Sequence, residues 1–441
     1  MITYQDLMQV PEHKKIDTVK DIIRQHKASP AYKMAADANN YNELKNTTIM
    51  RFVKFLYTIS GQAVPDNFSS NFKMPSGFFR RFTTQQNQFL LGNGCLWGDS
   101  STAEKLGKDF DEKLKKLGKA ALVEGVSFGF WNLDHLEVFK LTEFAPIYDE
   151  ENGALMAGVK FWQIDNKKPL RATLFEIDGY TDYMWNKENP QGVIKYNKRP
   201  YKLNVKSTPA DGEVIYDGEN YPTLPIVPLW ANDERQSELI GIKEQIDCYD
   251  LIKSGFANDV DDAQQLYWIL ENAGGMDEVD IAQFLDRVKR NRAAVMEEDG
   301  AKATPETVEI PVTARDTLLS IIEKDLYKDY MALDTDRIAS GSVAIVQIMA
   351  AYEPMNSKAD SYEQCIKTFI ADILNLAGIN DTVTFERSYI INTTEMVQLI
   401  LQSALYLPRE YVTEKLVALL GDKDKTEQVL EQMAADDLQI E

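Results

Sequence analysis

The sequence has few of the residues that build disulfides and metal clusters. Its 441 residues include only three cysteines, far apart and without a C-x-x-C pair: Cys95, Cys248 and Cys365. A set this odd and sparse indicates reduced thiols rather than a disulfide framework. The three histidines are also too scattered for a histidine-built metal site; they are His13, His26 and His135. We therefore expect no metal and no cofactor.

The signature motifs of several enzyme classes are missing. No G-x-x-x-x-G-K-[ST] occurs, which argues against a P-loop ATPase, and neither G-x-G-x-x-G after a strand nor G-x-S-x-G is present. We expect that the protein is not an enzyme. One alternative stays open, because 69 acidic residues leave room for the paired carboxylates of a carboxylate-dependent hydrolase, with the β-rich region as its substrate domain.

Basic residues are scarce relative to acidic ones. Lys and Arg number 48 against 69 Asp and Glu, so the formal net charge is −21. A protein that grips nucleic acid, or adheres to an anionic membrane, needs a basic surplus instead. No apolar run approaches the length of about 18 residues that a membrane span requires. The charge still permits a protein that lies close to DNA without holding it.

A β-rich region follows the first hundred residues. From Ala121 to about Gly218, short runs rich in Val, Ile, Phe, Tyr and Trp alternate with Gly, Asn, Asp and Pro turns, which predicts an antiparallel meander. The next segment, PTLPIVP at residues 222–228, predicts a stiff extended link. The reason is that each proline fixes its own φ and keeps its predecessor extended.

Helical periodicity dominates the rest of the chain. Apolar residues recur at steps of three and four from Ser237 to Asp262, which predicts a long one-faced helix with Ser237 as its N-cap. Further helices are predicted at Ser100–Gly118, as a short helix at Val279–Arg292, at Thr313 to about Lys328, at Val343–Ala377 with an interruption near Pro354, and as short helices after Thr393. Together with the meander, these elements predict a mixed α+β fold.

Three clusters of charge stand out. Asp259, Asp261 and Asp262 end the first long helix, where negative charge opposes the helix dipole; a functional acidic ring is one interpretation, and a solvated helix end is the one we favour. The triplet Asp334-Thr335-Asp336 fits either a hard-cation site or a polar loop. A dense basic cluster fits either a solvated helix end or a contact patch for a partner; it comprises Arg287, Lys289, Arg290 and Arg292.

Three segments resemble the portal proteins of tailed phages and prophages of Gram-positive bacteria. In that family an extended PVIPF-x-N run leads into SELE-x-IK-x-LIDAYD…S…ND-x-DDF. The matching residues here are Pro225, Pro228, Asn232, Ser237, Glu238, Ile242, Lys243, Ile246, Asp247, Tyr249, Asp250, Ser254, Asn258, Asp259 and Asp262. A second segment, residues 338–360, matches at Ser340, Gly341, Ala344 and Lys358, and a third, residues 139–162, resembles a hairpin of the family.

This resemblance implies a ring of about twelve subunits at one capsid vertex. The ring would be the channel for packaging and ejection of double-stranded DNA, and the base of the tail. The family's regions map onto the chain as a wing at 1–235, a stem helix at 236–263, a small α/β clip at 264–312, a second stem helix at 313–329, a tunnel loop at 330–341, a second part of the wing at 342–392 and a helical crown at 393–441. A structural alternative is another phage head component, such as a capsid or adaptor subunit.

The resemblance also implies partners and sites. The clip would meet the terminase large subunit and later the head–tail adaptor, and the ring would contact the major capsid and scaffolding proteins. We expect residence in the virion, and in the host cytoplasm during assembly, with no membrane contact. Acidic walls would repel phosphate and let DNA slide through without sequence specificity.

The candidate residues for these roles fall into three groups. The candidate channel and tunnel-loop residues are Asp334, Thr335, Asp336, Arg337, Lys324 and Lys328. The three aspartates at the end of the first long helix are the candidate stem acids, and the basic cluster of residues 287–292 is the candidate clip contact. Arg337 and the two lysines would damp the repulsion between the acidic walls and DNA.

Overall fold

The computed structural model describes residues 2–57, 61–66, 69–204, 217–263, 267–271, 279, 302–306, 311–335, 345–389, 393–422 and 425–437. The chain divides into two compact units. The first unit comprises Met1–Ala36, Arg81–Glu238 and Met331–Glu441, and the second comprises Asp37–Arg80 and Leu239–Tyr330.

Helices and strands are both abundant, which confirms the mixed α+β fold class. The helices are α1 Tyr4–Gln9, α2 Lys15–Ala28, α3 Pro30–Asn42, α4 Thr47–Arg51, α5 Phe78–Leu91, α6 Ser101–Leu106, α7 Phe110–Glu124, α8 Lys243–Ala263, α9 Val312–Tyr330, α10 Ile345–Ala377, α11 Thr393–Ser403, α12 Arg409–Leu419 and α13 Thr426–Asp437. The strands are β1 Phe55–Tyr57, β2 Ala63–Pro65, β3 Leu96–Trp97, β4 Val126–Asn132, β5 His135–Lys140, β6 Phe144–Tyr148, β7 Leu155–Trp162, β8 Leu170–Glu176, β9 Gly179–Trp185, β10 Val193–Arg199, β11 Lys202–Asn204, β12 Asp217–Glu219, β13 Ile226–Trp230, β14 Tyr267–Glu271, β15 Lys302–Glu306 and β16 Val383–Thr384.

The predicted meander is confirmed in the first unit. Strands β6 to β10 form a five-stranded antiparallel sheet in sequential order, and β4 and β5 pair beside it in a second sheet. The PTLPIVP segment is extended as predicted, but it is not a link. Its residues enter β13, which pairs antiparallel with β4 and places Pro228 opposite Phe128. Strand β13 lies at the edge of its three-stranded sheet, where a proline's missing N–H breaks no ladder.

Aromatic packing fills the core of the first unit. Helices α7 and α10 cover the three-stranded sheet, and Phe128, Trp131 and Phe369 are among its fully buried side chains. A Cβ built on Gly129 would lie 2.5 Å from the Phe369 ring, so the close approach of helix and sheet requires glycine at this position. A second cluster buries α2 against the five-stranded sheet.

Three helix predictions were wrong in detail. Ser100–Gly118 is two helices, because Gly107 at φ +90° ends α6, and the second helix, α7, continues to Glu124. Ser237 is not an N-cap, because α8 begins at Lys243 after Gly241 at φ +100°. The Ser237 hydroxyl donates instead to the Val123 carbonyl at 2.6 Å.

Pro354 does not interrupt α10, which runs unbroken to Ala377. Tyr352 and Met355 on either side of it are both buried in one apolar cluster with Phe89. This packing offsets the backbone hydrogen bond that the proline removes.

The second unit contains the two long helices, α8 and α9, and the strand pair β14–β15. The predicted second helix, Thr313 to about Lys328, is confirmed as Val312–Tyr330. Among the residues that the structure describes, no helix is both long enough and apolar enough to cross a membrane. The helix predicted at Val279–Arg292 lies outside the described residues apart from Val279.

Candidate functional site

The two long helices of the second unit run antiparallel, and polar contacts join both ends. Gln245 near the start of α8 donates to Asp329 near the end of α9. At the opposite end, the Arg315 guanidinium lies 2.5 Å from the Asp259 carboxylate and over the Phe256 ring. Asp259 therefore has a structural partner that its sequence position alone did not reveal.

One face of α8 carries a ladder of polar side chains that holds an extended segment, residues 70–76, which we call the strap. Asp250 accepts from the Ser76 N–H at 2.8 Å, Ser254 from the Met74 N–H at 3.0 Å, and Asn258 from the Phe72 N–H at 2.6 Å. The Asn258 amide also donates to the Phe72 carbonyl, and Ser70 donates to Asp261. Asp250, Ser254 and Asn258 are all buried.

The ladder can form because one step of four residues along α8 is about as long as two residues of the extended strap. Four residues of helix rise about 6 Å, and two residues of extended chain span about 6.6 Å. Each step of four along α8 therefore meets every second residue of the strap. Pro75 falls between two rungs, at a position whose missing N–H the ladder does not use.

The ladder residue Asp250 also contacts the start of helix α4. Asp250 is fully buried and also accepts from the Asn46 amide at 2.7 Å. Asn46 in turn caps α4 by accepting from the N–H groups of Thr48 and Ile49. Burial raises the pKa of Asp250, and the hydrogen bonds from Asn46 and Ser76 oppose that rise.

A charged cluster closes the start of α8. The Lys243 ammonium lies 2.8 Å from Asp247, and Tyr41 and Thr48 both donate to the same carboxylate. Burial by itself would lower the pKa of Lys243, but the hydrogen bonds to Asp247 and Tyr41 raise it above its usual range. Burial likewise pushes the pKa of Asp247 up, and the hydrogen bonds from Lys243, Tyr41 and Thr48 bring it below its ordinary value.

In the first unit, residues from two of the segments that resemble the portal family contact each other. The Lys358 ammonium lies 2.6 Å from the Glu238 carboxylate, and the Asn232 amide donates to the same carboxylate at 3.0 Å. Burial lowers the pKa of Lys358, and the charge of Glu238 opposes that shift. Asn232, Glu238 and Lys358, which all match the portal family's segments, thus form polar contacts with one another.

The predicted site residues are only partly described. Lys324 is exposed on α9, and Lys328 lies 3.7 Å from Asp325. In the first unit, Asp334 is half-buried and Thr335 exposed. Asp336, Arg337 and the cluster of Arg287, Lys289, Arg290 and Arg292 lie outside the described residues, as does the side chain of Asp262. The channel, stem and clip roles of these residues remain predictions.

The sequence did not predict Gln85, a residue that holds the backbone next to Asp334. Gln85 donates to and accepts from the Leu333 backbone, at 3.0 and 3.1 Å, and fixes the chain just before Asp334. Nothing in the local sequence marked Gln85. The ladder had a signal, since Asp250, Ser254 and Asn258 are polar residues four apart on one helix, a spacing that places them on one face.

Among the described residues, no group of His, Cys, Asp and Glu side chains could hold a metal ion. Residues 21–439 match the sequence profile of a family described as "Phage portal protein, SPP1 Gp6-like". The chain belongs to the phage portal protein family. It is a portal subunit at the capsid vertex and a structural component of the virion, as the three segments predicted.

Two portal proteins are among its relatives. The portal protein of Clostridium phage phiCD119 is 32% identical over 181 residues, which cover 39% of this chain and 39% of the relative. The portal protein of Bacillus phage SPP1 is 25% identical over 387 residues, covering 78% of this chain and 73% of the relative.

Two solved structures show a weak likeness to the portal subunit. A chain from the neck of an empty GTA particle, computed with C6 symmetry, has a TM-score of 0.43 at 9% identity and covers 78% of this chain and 90% of its own. A chain from the neck of a native GTA particle, computed with C12 symmetry, also has a TM-score of 0.43, at 8% identity, with 77% and 89% covered.

Proposed function

We propose that about twelve copies of this subunit close into a ring through which double-stranded DNA enters and leaves the capsid. The observation that carries the proposal is the family match over residues 21–439. The clip docks the terminase large subunit during packaging and the head–tail adaptor afterwards. The subunit itself hydrolyses nothing; ATP hydrolysis belongs to the terminase.

The charge of the chain supports a conduit rather than a clamp. Each subunit carries a formal charge of −21, so the ring multiplies an acidic surplus that repels phosphate groups. A duplex in such a channel is not trapped by counterion release, the term that dominates tight DNA binding. Arg337, Lys324 and Lys328 are the cations that moderate this repulsion next to the DNA.

Electron microscopy of the purified full chain in negative stain tests the ring. We expect ring-shaped particles with a central hole. Compact single-subunit particles at every protein concentration would contradict the proposal. A deep acidic cleft in such a monomer would favour the hydrolase alternative.

Two variants test the proposed sites within the ring. Arg337→Ala is expected to slow packaging and to change its dependence on salt, because one cation facing DNA is lost from every subunit. Charge reversal at Arg290 and Arg292 is expected to weaken binding of the terminase large subunit. Unchanged packaging by Arg337→Ala would contradict the role proposed for Arg337, and unchanged binding would contradict the role proposed for Arg290 and Arg292. Neither result would contradict the ring itself.

A further inference from the structure

We propose that the described part of residues 50–76, namely 50–57, 61–66 and 69–76 and here called the arm, docks onto the exposed face of α9 in the neighbouring copy of this chain. The inference rests on the proposed ring and deepens it, because it assigns the two surfaces that join adjacent subunits. It follows from four observations on the second unit: apolar exposure, the ladder, complementary charge and an unpacked helix face.

The arm presents large apolar side chains to solvent. Phe72 is 54% exposed and Phe55 53%. The full set among the described residues, which we call the arm face, is Met50, Phe52, Val53, Phe55, Val64, Phe72 and Met74, each at least 40% exposed. Single exposed apolar residues are common on soluble proteins, but seven within 25 residues of sequence are the concentration expected of an interaction surface.

Polar contacts hold the arm in place, while the apolar side chains of the arm face stay exposed. The ladder on α8 fixes the strap through the backbone of Phe72, Met74 and Ser76. The Lys73 ammonium donates to the Met50 carbonyl and the Lys54 ammonium to the Ser70 carbonyl, so the strap is joined to the end of α4 and to Lys54, which directly precedes β1. The backbone is thus positioned while the apolar side chains stay available, which lowers the ordering cost of binding.

The arm carries a net positive charge, which favours an acidic partner surface. Residues 50–76 contain Arg51, Lys54 and Lys73 against Asp66 alone, in a chain of net charge −21. Among the described residues, neither Arg51 nor Lys73 forms a salt bridge. The helix pair α8–α9 has the opposite character, with ten acidic residues and five basic ones. Opposite net charges steer two surfaces together and disfavour the pairing of like with like.

Helix α9 has an exposed apolar face that could pack against the apolar side chains of the arm. Leu318 is 44% exposed and Ile321 49%, and their spacing of three places them side by side on the helix. Asp325 follows Ile321 by four residues and therefore lies on the same face of the helix. An apolar stripe with an acid beside it complements an apolar arm with basic residues beside it.

The two surfaces differ, so the contact is head-to-tail. Each copy gives its arm to one neighbour and its α9 face to the other, and a contact of this type closes into a ring when the rotation per subunit permits. An arm–arm contact would stop at a dimer and would bring like charges together.

Paired surface variants test this assignment in the full-length chain. The arm variant is Phe72→Ser with Met74→Ser, and the face variant is Leu318→Ser with Ile321→Ser. All four positions are exposed, so we expect wild-type circular dichroism and melting temperature. We expect each variant alone to need about 100-fold more protein for ring formation than the wild type, as measured by mass photometry. The matched control is Ile164→Ser, at a position 88% exposed in the first unit, which should assemble as the wild type does.

Mixing the two variants gives the sharpest result. The face variant keeps its arm and the arm variant keeps its face, so the mixture is expected to form heterodimers that grow no further. Asn258→Ala, which removes a ladder rung without changing the arm face, is expected to weaken assembly in the same direction.

The outcomes separate this inference from the proposed function. A wild-type chain that never assembles would contradict the ring itself. If the wild type forms rings and the arm variant does so equally well, the ring stands and the arm contact is wrong. A face variant that still dimerises, with no heterodimer in the mixture, would also overturn the assignment, in favour of an arm–arm contact. Loss of binding to another protein or to DNA with unchanged assembly would give the arm a different partner.

Discussion

At the scale of single residues, we expect the buried contact of His26 in the first unit to depend on pH. Its side chain is buried and its Nε2 lies 2.7 Å from the Leu141 carbonyl oxygen. Burial lowers the pKa of His26 below its ordinary value of 6.5, and the hydrogen bond to Leu141 opposes that shift. The stability that neutral His26 contributes is therefore complete above pH 6.5, and it is lost as the pH falls from there through the lower folded-state pKa.

His26→Gln keeps a donor for the Leu141 carbonyl and removes the titration. We expect the melting temperature of the variant to fall less between about pH 7.5 and pH 5 than that of the wild type. His13→Gln, at an exposed position, is the matched control and should keep the wild-type slope. A wild-type slope in His26→Gln as well would show that His26 does not set the acid sensitivity.

A second residue-scale prediction concerns the partly buried ion pair of Glu238 and Lys358, whose side chains are 10% and 18% exposed. Lys358→Met leaves the Glu238 carboxylate without its cation, which costs less than the about 3–5 kcal/mol found for fully buried pairs. The double variant Glu238→Gln with Lys358→Met leaves no buried charge and keeps an acceptor for Asn232, so we expect it to be more stable than the single variant. Urea unfolding of both proteins measures the difference, and a double variant less stable than Lys358→Met would refute this account of the pair.

At the scale of elements, the ladder predicts how the strap is held. Replacing Ser254 and Asn258 by alanine leaves the N–H groups of Met74 and Phe72 without acceptors, a cost of about 1–3 kcal/mol each when buried. Amide hydrogen exchange of Phe72 and Met74 should accelerate strongly, while exchange in the core of α8 changes little. Leu251→Ala, on an exposed position of the same helix, serves as the control. Unchanged protection in the double variant would mean that other contacts hold the strap.

The elements also show which features a sequence determines locally. The periodicity of Thr313 to Lys328 predicted α9 within two residues at each end, and the alternating runs predicted the meander, because both patterns reflect one buried face. The start of α8 and the break at Gly107 were not predicted, since each depends on one glycine at positive φ. Pro354 was misjudged because packing of Tyr352 and Met355, which are distant in sequence from Phe89, decides the outcome there.

The candidate site was predictable only in part, for a similar reason. The resemblance identified Glu238, Asp250, Asn258 and Lys358 as residues that matter, and the structure gives all of them internal contacts. Their partners come from far along the chain: Asp250 meets Asn46 and Ser76, and Asn258 meets Phe72. A one-dimensional pattern marks one side of such a contact and cannot name the other side.

At the scale of the whole molecule, the acidic charge and the exposed apolar surfaces fit one subunit of a larger assembly. The arm face and the α9 face lie open in a single chain, and the proposed ring of copies would cover both. The same ring would concentrate the acidic surplus of −21 per subunit around the proposed DNA channel.

Native mass spectrometry of the purified full chain tests this central claim most directly. The subunit has a mass of 50.1 kDa, so a closed ring of twelve would appear as one dominant species of about 600 kDa. We expect that species, or a closed ring of nearby copy number, to persist on dilution into the micromolar range. A single species of 50.1 kDa at every concentration, with no ring in electron micrographs of the same sample, would contradict the account.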